Sequence, residues 1–110
     1  MTTAVFKTDG DRICSFTVSG HSGYDAEGSD IVCAAVTSAV RFAECAMNTV
    51  LGLGIPFKVD EETATVTCRL PQGFTDEQDE VYCQNLLVAL MVYLAELKEE
   101  YPNNIDVIEQ

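Results

Sequence analysis

The sequence predicts an α+β domain with element order ββαββαβ. Two stretches of alternating apolar and polar residues, at 4–19 and 57–70, are each interrupted by a short polar turn, which is the pattern of antiparallel hairpins. Each is followed by a long stretch with helical spacing, rich in Ala in the first case and Leu in the second, and a short β-rich segment ends the sequence. With 110 residues, 47% of them apolar, residues 1–110 make one domain whose core needs neither disulfide nor metal.

The first hairpin runs from Ala4 to Thr8, turns at Asp9-Gly10, and returns from Arg12 to Ser19 with Cys14, Phe16 and Val18 on one face. It ends at Gly20-His21. Residues 22–29 then read as a polar, mobile loop holding Gly23, Gly28, Tyr24, Asp25 and Glu27. From Asp30 to about Leu51 the alanines at 34, 35, 39, 43 and 46 alternate with Val32, Val36, Val40 and Met47, so a helix is predicted, started by Ser29 or Asp30 and stopped by Gly52 and Gly54. Phe57–Asp60 and Thr63 to Leu70 form the second hairpin around Asp60-Glu61-Glu62, with Ala64, Val66, Cys68 and Leu70 on the buried side. Thr75 and Gln78 stand at capping-box spacing before a second helix that reaches about Glu100. Pro102-Asn103-Asn104 breaks it, and Ile105 to Ile108 is the last strand.

The second helix is apolar almost without interruption from Leu86 to Leu94, on more faces than one sheet covers. This predicts a second copy of the chain against its outer side, in a two-fold homodimer. Burial inside one chain, between sheet and first helix, is the competing reading. The run from Leu86 to Ala95 is about half of the ~20 residues a membrane-spanning helix requires, so no membrane association is expected.

Composition narrows the function. MTTAVFKTDG has neither a basic start nor an apolar run of signal-peptide length, so a cytoplasmic location is expected. Five cysteines at 14, 33, 45, 68 and 83, widely spaced and without a CxxC pair, fit neither a disulfide framework nor a zinc site, and no metal or other cofactor is expected. The net charge of −12 opposes direct nucleic-acid binding; it either attracts a basic protein or peptide as partner or serves solubility alone.

Two residues carry a candidate chemistry. Cys33 falls in the opening of the first helix, where unpaired amides and the helix dipole favour a thiolate, and those amides, that of Cys33 included, are placed to receive an oxyanion. His21, the one histidine in the chain, sits at the end of a strand whose following loop returns to that helix. A Cys–His pair in hydrogen-bond reach is the minimal device for acyl transfer. Asp30 either orients His21 or caps the helix; the cap is favoured, because a carboxylate near Cys33 opposes ionisation of the thiol. Against catalysis, a cysteine in an apolar helix is commonly a small core residue, and that is the reading for Cys14, Cys45, Cys68 and Cys83. For Cys33 with His21 the residues alone leave both readings open.

The run GHSGYDAEGSDIVCAAVTSAV, Gly20 to Val40, resembles the signature of the bacterial ribosomal-processing cysteine proteases, the Prp family, in which Gly-His, a Gly-containing loop and Asp-Ile-Val-Cys-Ala-Ala occur in this order. The resemblance implies Cys33 as nucleophile and His21 as base. It implies a two-layer sandwich, with two helices packed on one face of a mostly antiparallel sheet, assembled as a homodimer. It also implies a loop containing Ser22, Gly23, Tyr24 and Gly28 that orders over substrate. The activity implied is removal of a short N-terminal extension from a large-subunit ribosomal protein precursor. The family commonly has Ser four residues after the nucleophile, where this chain has Thr37 with Ser38 beside it. The Thr37 hydroxyl either approaches the sulfur one turn away or bonds back to its own helix. Two other functions stay open: a non-catalytic acidic binding module or chaperone for a basic ribosomal protein, and a different acyl transfer on a small molecule.

Overall fold

The structure, a computed structural model, describes residues 1–20 and 29–110. Its elements are β1 (Thr2–Asp9), β2 (Arg12–Ser19), α1 (Ser29–Glu44) continued by a π-helical turn (Cys45–Val50), β3 (Phe57–Asp60), β4 (Thr65–Arg69), α2 (Glu77–Glu100) and β5 (Ile105–Glu109). The five strands form one sheet in the order β3-β4-β2-β1-β5, antiparallel throughout except for β1 beside β5. This is the predicted α+β arrangement with the predicted element order.

The connectivity explains why both helices lie on one face. The strand pairings make β2 run parallel to β3 and β4 run parallel to β5, so α1 and α2 are each crossover connections. The two crossovers step in opposite directions across the sheet, from strands that themselves point in opposite directions. A common right-handedness then puts both helices over the same face. Val32, Val36, Val40, Ala43 and Met47 meet Cys83, Leu87, Leu90, Leu94 and Leu97 above Ala4, Phe6, Phe16, Cys68 and Ile105 in a single core. Phe16 lies at its centre, with ring centroids 5.5 Å from Phe6 and 6.0 Å from Phe57.

Four local departures from the sequence reading have physical causes. A bulge between Lys7 and Thr8 pairs Lys7 with Ser15 and Thr8 with Ile13, leaving Cys14 unopposed. The alternation therefore slips, and Ile13 rather than Cys14 faces the core. Ala64 takes a left-handed φ of 52° to finish the turn whose Asp60 carboxylate accepts from the Glu62 and Thr63 amides, so β4 begins at Thr65 instead of Thr63. Asp76, not Thr75, caps α2, its carboxylate accepting from the Gln78 N–H at 2.9 Å. The first helix widens at Cys45, with the Leu51 N–H donating five residues back to Ala46 at 3.0 Å, and Gly52 at φ 68° then turns the chain.

Among the described residues α2 is the one helix long and apolar enough to cross a bilayer, but Cys83, Leu87, Leu90, Leu94 and Leu97 bury one side of it against the sheet and α1. Its outer side leaves Val81, Tyr82, Val88, Val92 and Tyr93 exposed. Between the helices lies an open apolar groove of about 290 Å³, lined by Ala39, Phe42, Leu86, Ala89 and Tyr93 among others. Burial inside one chain therefore accounts for only half of the helix.

Candidate active site

The topology brings the segments that flank the candidate residues to one end of the sheet. Thr3 pairs with Ser19 and Val18 with Val66, so the end of β2 lies beside the beginnings of β1 and β4, and Thr2 pairs with Ile105 at the beginning of β5. The chain leaves β2 at this end through Gly20, which takes φ 91°. A Cβ on Gly20 would stand 2.4 Å from the Met1 carbonyl oxygen, so both backbone angle and space require glycine here. The residue after it is His21. The chain returns as α1, whose first turns start from the same end.

Helix α1 begins at Ser29, one residue earlier than expected, and this changes the local chemistry. Asp30 is in the first turn and exposed, where its charge complements the helix dipole. Ser29 and Asp30 both lie within the helix, so the N-cap position precedes them. Cys33 is the fifth helical residue, and by helix geometry its N–H bonds the carbonyl of residue 29. The Cys33 amide is thus spent on the helix and is not an oxyanion donor, contrary to the sequence reading. The amides of residues 29–31 are the ones without an intrahelical acceptor. The Cys33 side chain is half-buried, and Thr37, one turn on, is exposed.

His21, Ser22, Gly23, Tyr24 and Gly28, and with them the loop expected over the substrate, lie outside the described residues. The other thiols separate clearly from Cys33. Cys68 and Cys83 are fully buried, and burial, the first cause in both, pushes their thiols up to about 12 and about 11. They are core residues and inert. Cys14 is half-buried, within 3.8 Å of the Arg12 guanidinium. Cys45, expected in the core, is exposed on the outer side of the π-helical turn. Among the described residues no cluster of His, Cys, Asp and Glu has the makings of a metal site.

Sequence reasoning missed the role of Gly20 at this end of the sheet, for which the Gly-His pair was a usable signal.

A half-buried thiol near the start of a helix, on a chain that has just left a strand leading into its one histidine, is an arrangement suited to cysteine-dependent acyl transfer. The chain belongs to the family of the cysteine protease Prp, whose model matches residues 1–106. It is 27% identical over 95 residues to the ribosomal processing cysteine protease Prp of Bacillus subtilis, covering 86% of this chain and 84% of that protein. Its fold matches the S. aureus ribosomal processing protease Prp in complex with a substrate peptide, with a TM-score of 0.81, 20% identity and full coverage of both chains. The same S. aureus protein with a covalently linked product peptide matches with a TM-score of 0.76 at 24% identity, again over both whole chains. The protein is thus a cysteine protease.

Proposed function

We propose that this protease removes an N-terminal extension from a large-subunit ribosomal protein precursor, with Cys33 as nucleophile and His21 as general base. The observation that carries the reading is the family match across nearly the whole chain, combined with a half-buried thiol near the start of α1 at the end of the sheet that leads into His21. The Bacillus subtilis relative is named for ribosomal processing, and it is that name which directs the choice of substrate.

In this mechanism His21 takes the Cys33 proton and the thiolate attacks the scissile carbonyl carbon. The C=O electron pair moves to oxygen, and the oxyanion meets the N–H groups opening α1. Collapse expels the amine, which takes its proton from the imidazolium and leaves a thioester. Water, deprotonated by the same imidazole, then releases the acid and restores the thiol. A covalently linked product peptide, described for the S. aureus protein, fits such a route.

Asp30 supports the helix start, and Thr37 lies one turn beyond the sulfur. Ser22, Gly23, Tyr24 and Gly28 cover the bound peptide. The Asp60-Glu61-Glu62 turn joins β3 and β4 at this same end of the sheet and suits a basic substrate. The outer face of α2 pairs with a second copy of the chain, and the protein works in the cytoplasm. The test is incubation with a peptide spanning the extension junction of the host's ribosomal protein. One cut is expected, lost in Cys33→Ala and in His21→Ala; cleavage by Cys33→Ala would sink the reading.

A further inference from the structure

The two edges of the sheet are finished differently. On β5 the carbonyls of Asn104 and Gln110 accept from the Thr2 and Thr8 amides, so by the two-residue period Ile105, Val107 and Glu109 turn their backbone groups outward. The outward Val107 N–H is closed by its own neighbour: the Asp106 carboxylate accepts from it at 3.0 Å, and Lys98 on α2 holds that carboxylate. An edge closed in this way resists a further strand.

β3, at the other edge, is open. The Arg69 N–H donates to the Pro56 carbonyl, which sets the phase of the antiparallel ladder with β4. Lys58 and Asp60 then form bonded pairs with Thr67 and Thr65, while Phe57 and Val59 turn both N–H and C=O away from β4. The next pairing agrees, since the Leu70 N–H donates to the Cys14 carbonyl and so directs the backbone groups of Cys68 and Val66 towards β2. Among the described residues nothing meets the outward groups of Phe57 and Val59. Val59 also stands in a row of core-facing positions with Val66, Val18 and Ala4, yet it is 67% exposed, so the helix layer leaves this edge uncovered.

The end of the strand says what chemistry suits it. β3 runs towards the catalytic end and stops at Asp60-Glu61-Glu62, three exposed carboxylates against one cation on the strand, Lys58. An extended chain with basic residues is drawn to that turn. One that enters there and runs back along β3 is antiparallel to it, the better-bonded arrangement, and its N-terminal residues lie nearest the catalytic end.

We infer that β3 is the docking edge for the basic substrate segment that follows the scissile bond, added as a sixth, antiparallel strand through the N–H and C=O groups of Phe57 and Val59. The inference rests on the proposed cleavage of a basic ribosomal protein precursor.

The test uses the junction peptide on two forms of the full chain. With Cys33→Ala, which binds without cutting, the peptide should shift the Phe57 and Val59 amide signals and slow their hydrogen exchange, while exchange at Lys58, whose N–H already serves Thr67, stays the same. With the parent, N-methylation of peptide residues after the cut should raise KM at every second residue, roughly fivefold for each hydrogen bond lost, with kcat held. Val59→Pro removes an N–H that β4 does not use, so it should melt with the parent and show the same rise in KM. Unchanged Phe57 and Val59 amides on binding, or a KM indifferent to N-methylation after the cut, would overturn the inference while cleavage by the parent keeps the proposed function standing. So would protection of those amides without peptide that is lost on dilution, since a second copy then holds the edge. A parent that neither binds nor cuts the peptide would overturn both.

Discussion

The side-chain amide of Gln84, on α2, closes both backbone hydrogen bonds of Ile13, on β2: its Oε1 accepts from the Ile13 N–H and its Nε2 donates to the Ile13 carbonyl, each at 2.8 Å. Ile13 keeps Thr8 as its partner on β1 beside the unopposed Cys14, but the pairing of β2 with β4 stops at Ser15 and Arg69, so on that side Gln84 takes the place of a strand. Arg12 adds a two-pronged contact to Glu80 one turn earlier on α2, at 2.8 and 3.0 Å. Together they fix where α2 starts over the sheet.

Replacing Gln84 with Leu leaves both Ile13 groups unpaired beside the core. A loss of about 2 kcal/mol is expected, read as a lower denaturant midpoint at unchanged slope. Gln84→Glu keeps the acceptor only and should fall between Leu and the parent.

Thiol labelling should separate Cys33 from Cys45, Cys68 and Cys83. Iodoacetamide near neutral pH is expected to modify Cys33 fastest, Cys45 at the rate of an ordinary exposed thiol, and Cys68 and Cys83 only on unfolding. Peptide mapping by mass spectrometry reads all five, and equal rates at Cys33 and Cys45 would contradict an activated nucleophile.

Alkaline stability follows from the buried thiols. Cys68 and Cys83 hold their protons in the folded protein to about 12 and about 11, while in the unfolded chain they ionise near 8.5. A folded-state pKa raised in this way stabilises fully below the unfolded value and loses its contribution as pH climbs through the folded one. Stability should therefore fall between about pH 9 and 12, and the fall should be shallower in Cys68→Ala.

Gly20→Ala forces a methyl group against the Met1 carbonyl at an unfavourable φ. Destabilisation of about 1–3 kcal/mol is expected by thermal or denaturant melting, with cleavage lost even below the melting temperature because His21 is displaced.

The outer face of α2 gives a prediction about assembly. Val88 and Val92 are exposed one helical turn apart, so Val92→Glu should convert the proposed dimer to monomer in light scattering. A parent that already scatters as a monomer would remove the dimer from the account.

Much of this architecture was legible in the residues. Phe57–Asp60 has the bounds its alternation predicts, and α2 ends at Glu100 as its composition predicts, because local period and propensity decide such elements. The bulge at Cys14 was hidden, since the backbone groups of Ile13 beside it are met by Gln84, 71 positions on. The π-helical turn was hidden for the same reason: Asn48 repays it by holding both backbone groups of Ile55, at 2.6 and 2.8 Å. Of the candidate site, Cys33 and His21 stood out through residue type and spacing, while the need for glycine at position 20 comes from the Met1 carbonyl that the fold sets beside it.

The parallel pairing of β1 with β5 joins the two extremes of the sequence, with Thr8 bonding the Gln110 carbonyl across 102 positions. During synthesis the flank of β1 has no partner until β5 has been made, and Thr2 has no Asn104 carbonyl to receive its amide. A growing chain therefore cannot close this edge of β1 until Ile105–Glu109 has been made and has docked, so the sheet gains its fifth strand only after both helices have been synthesised.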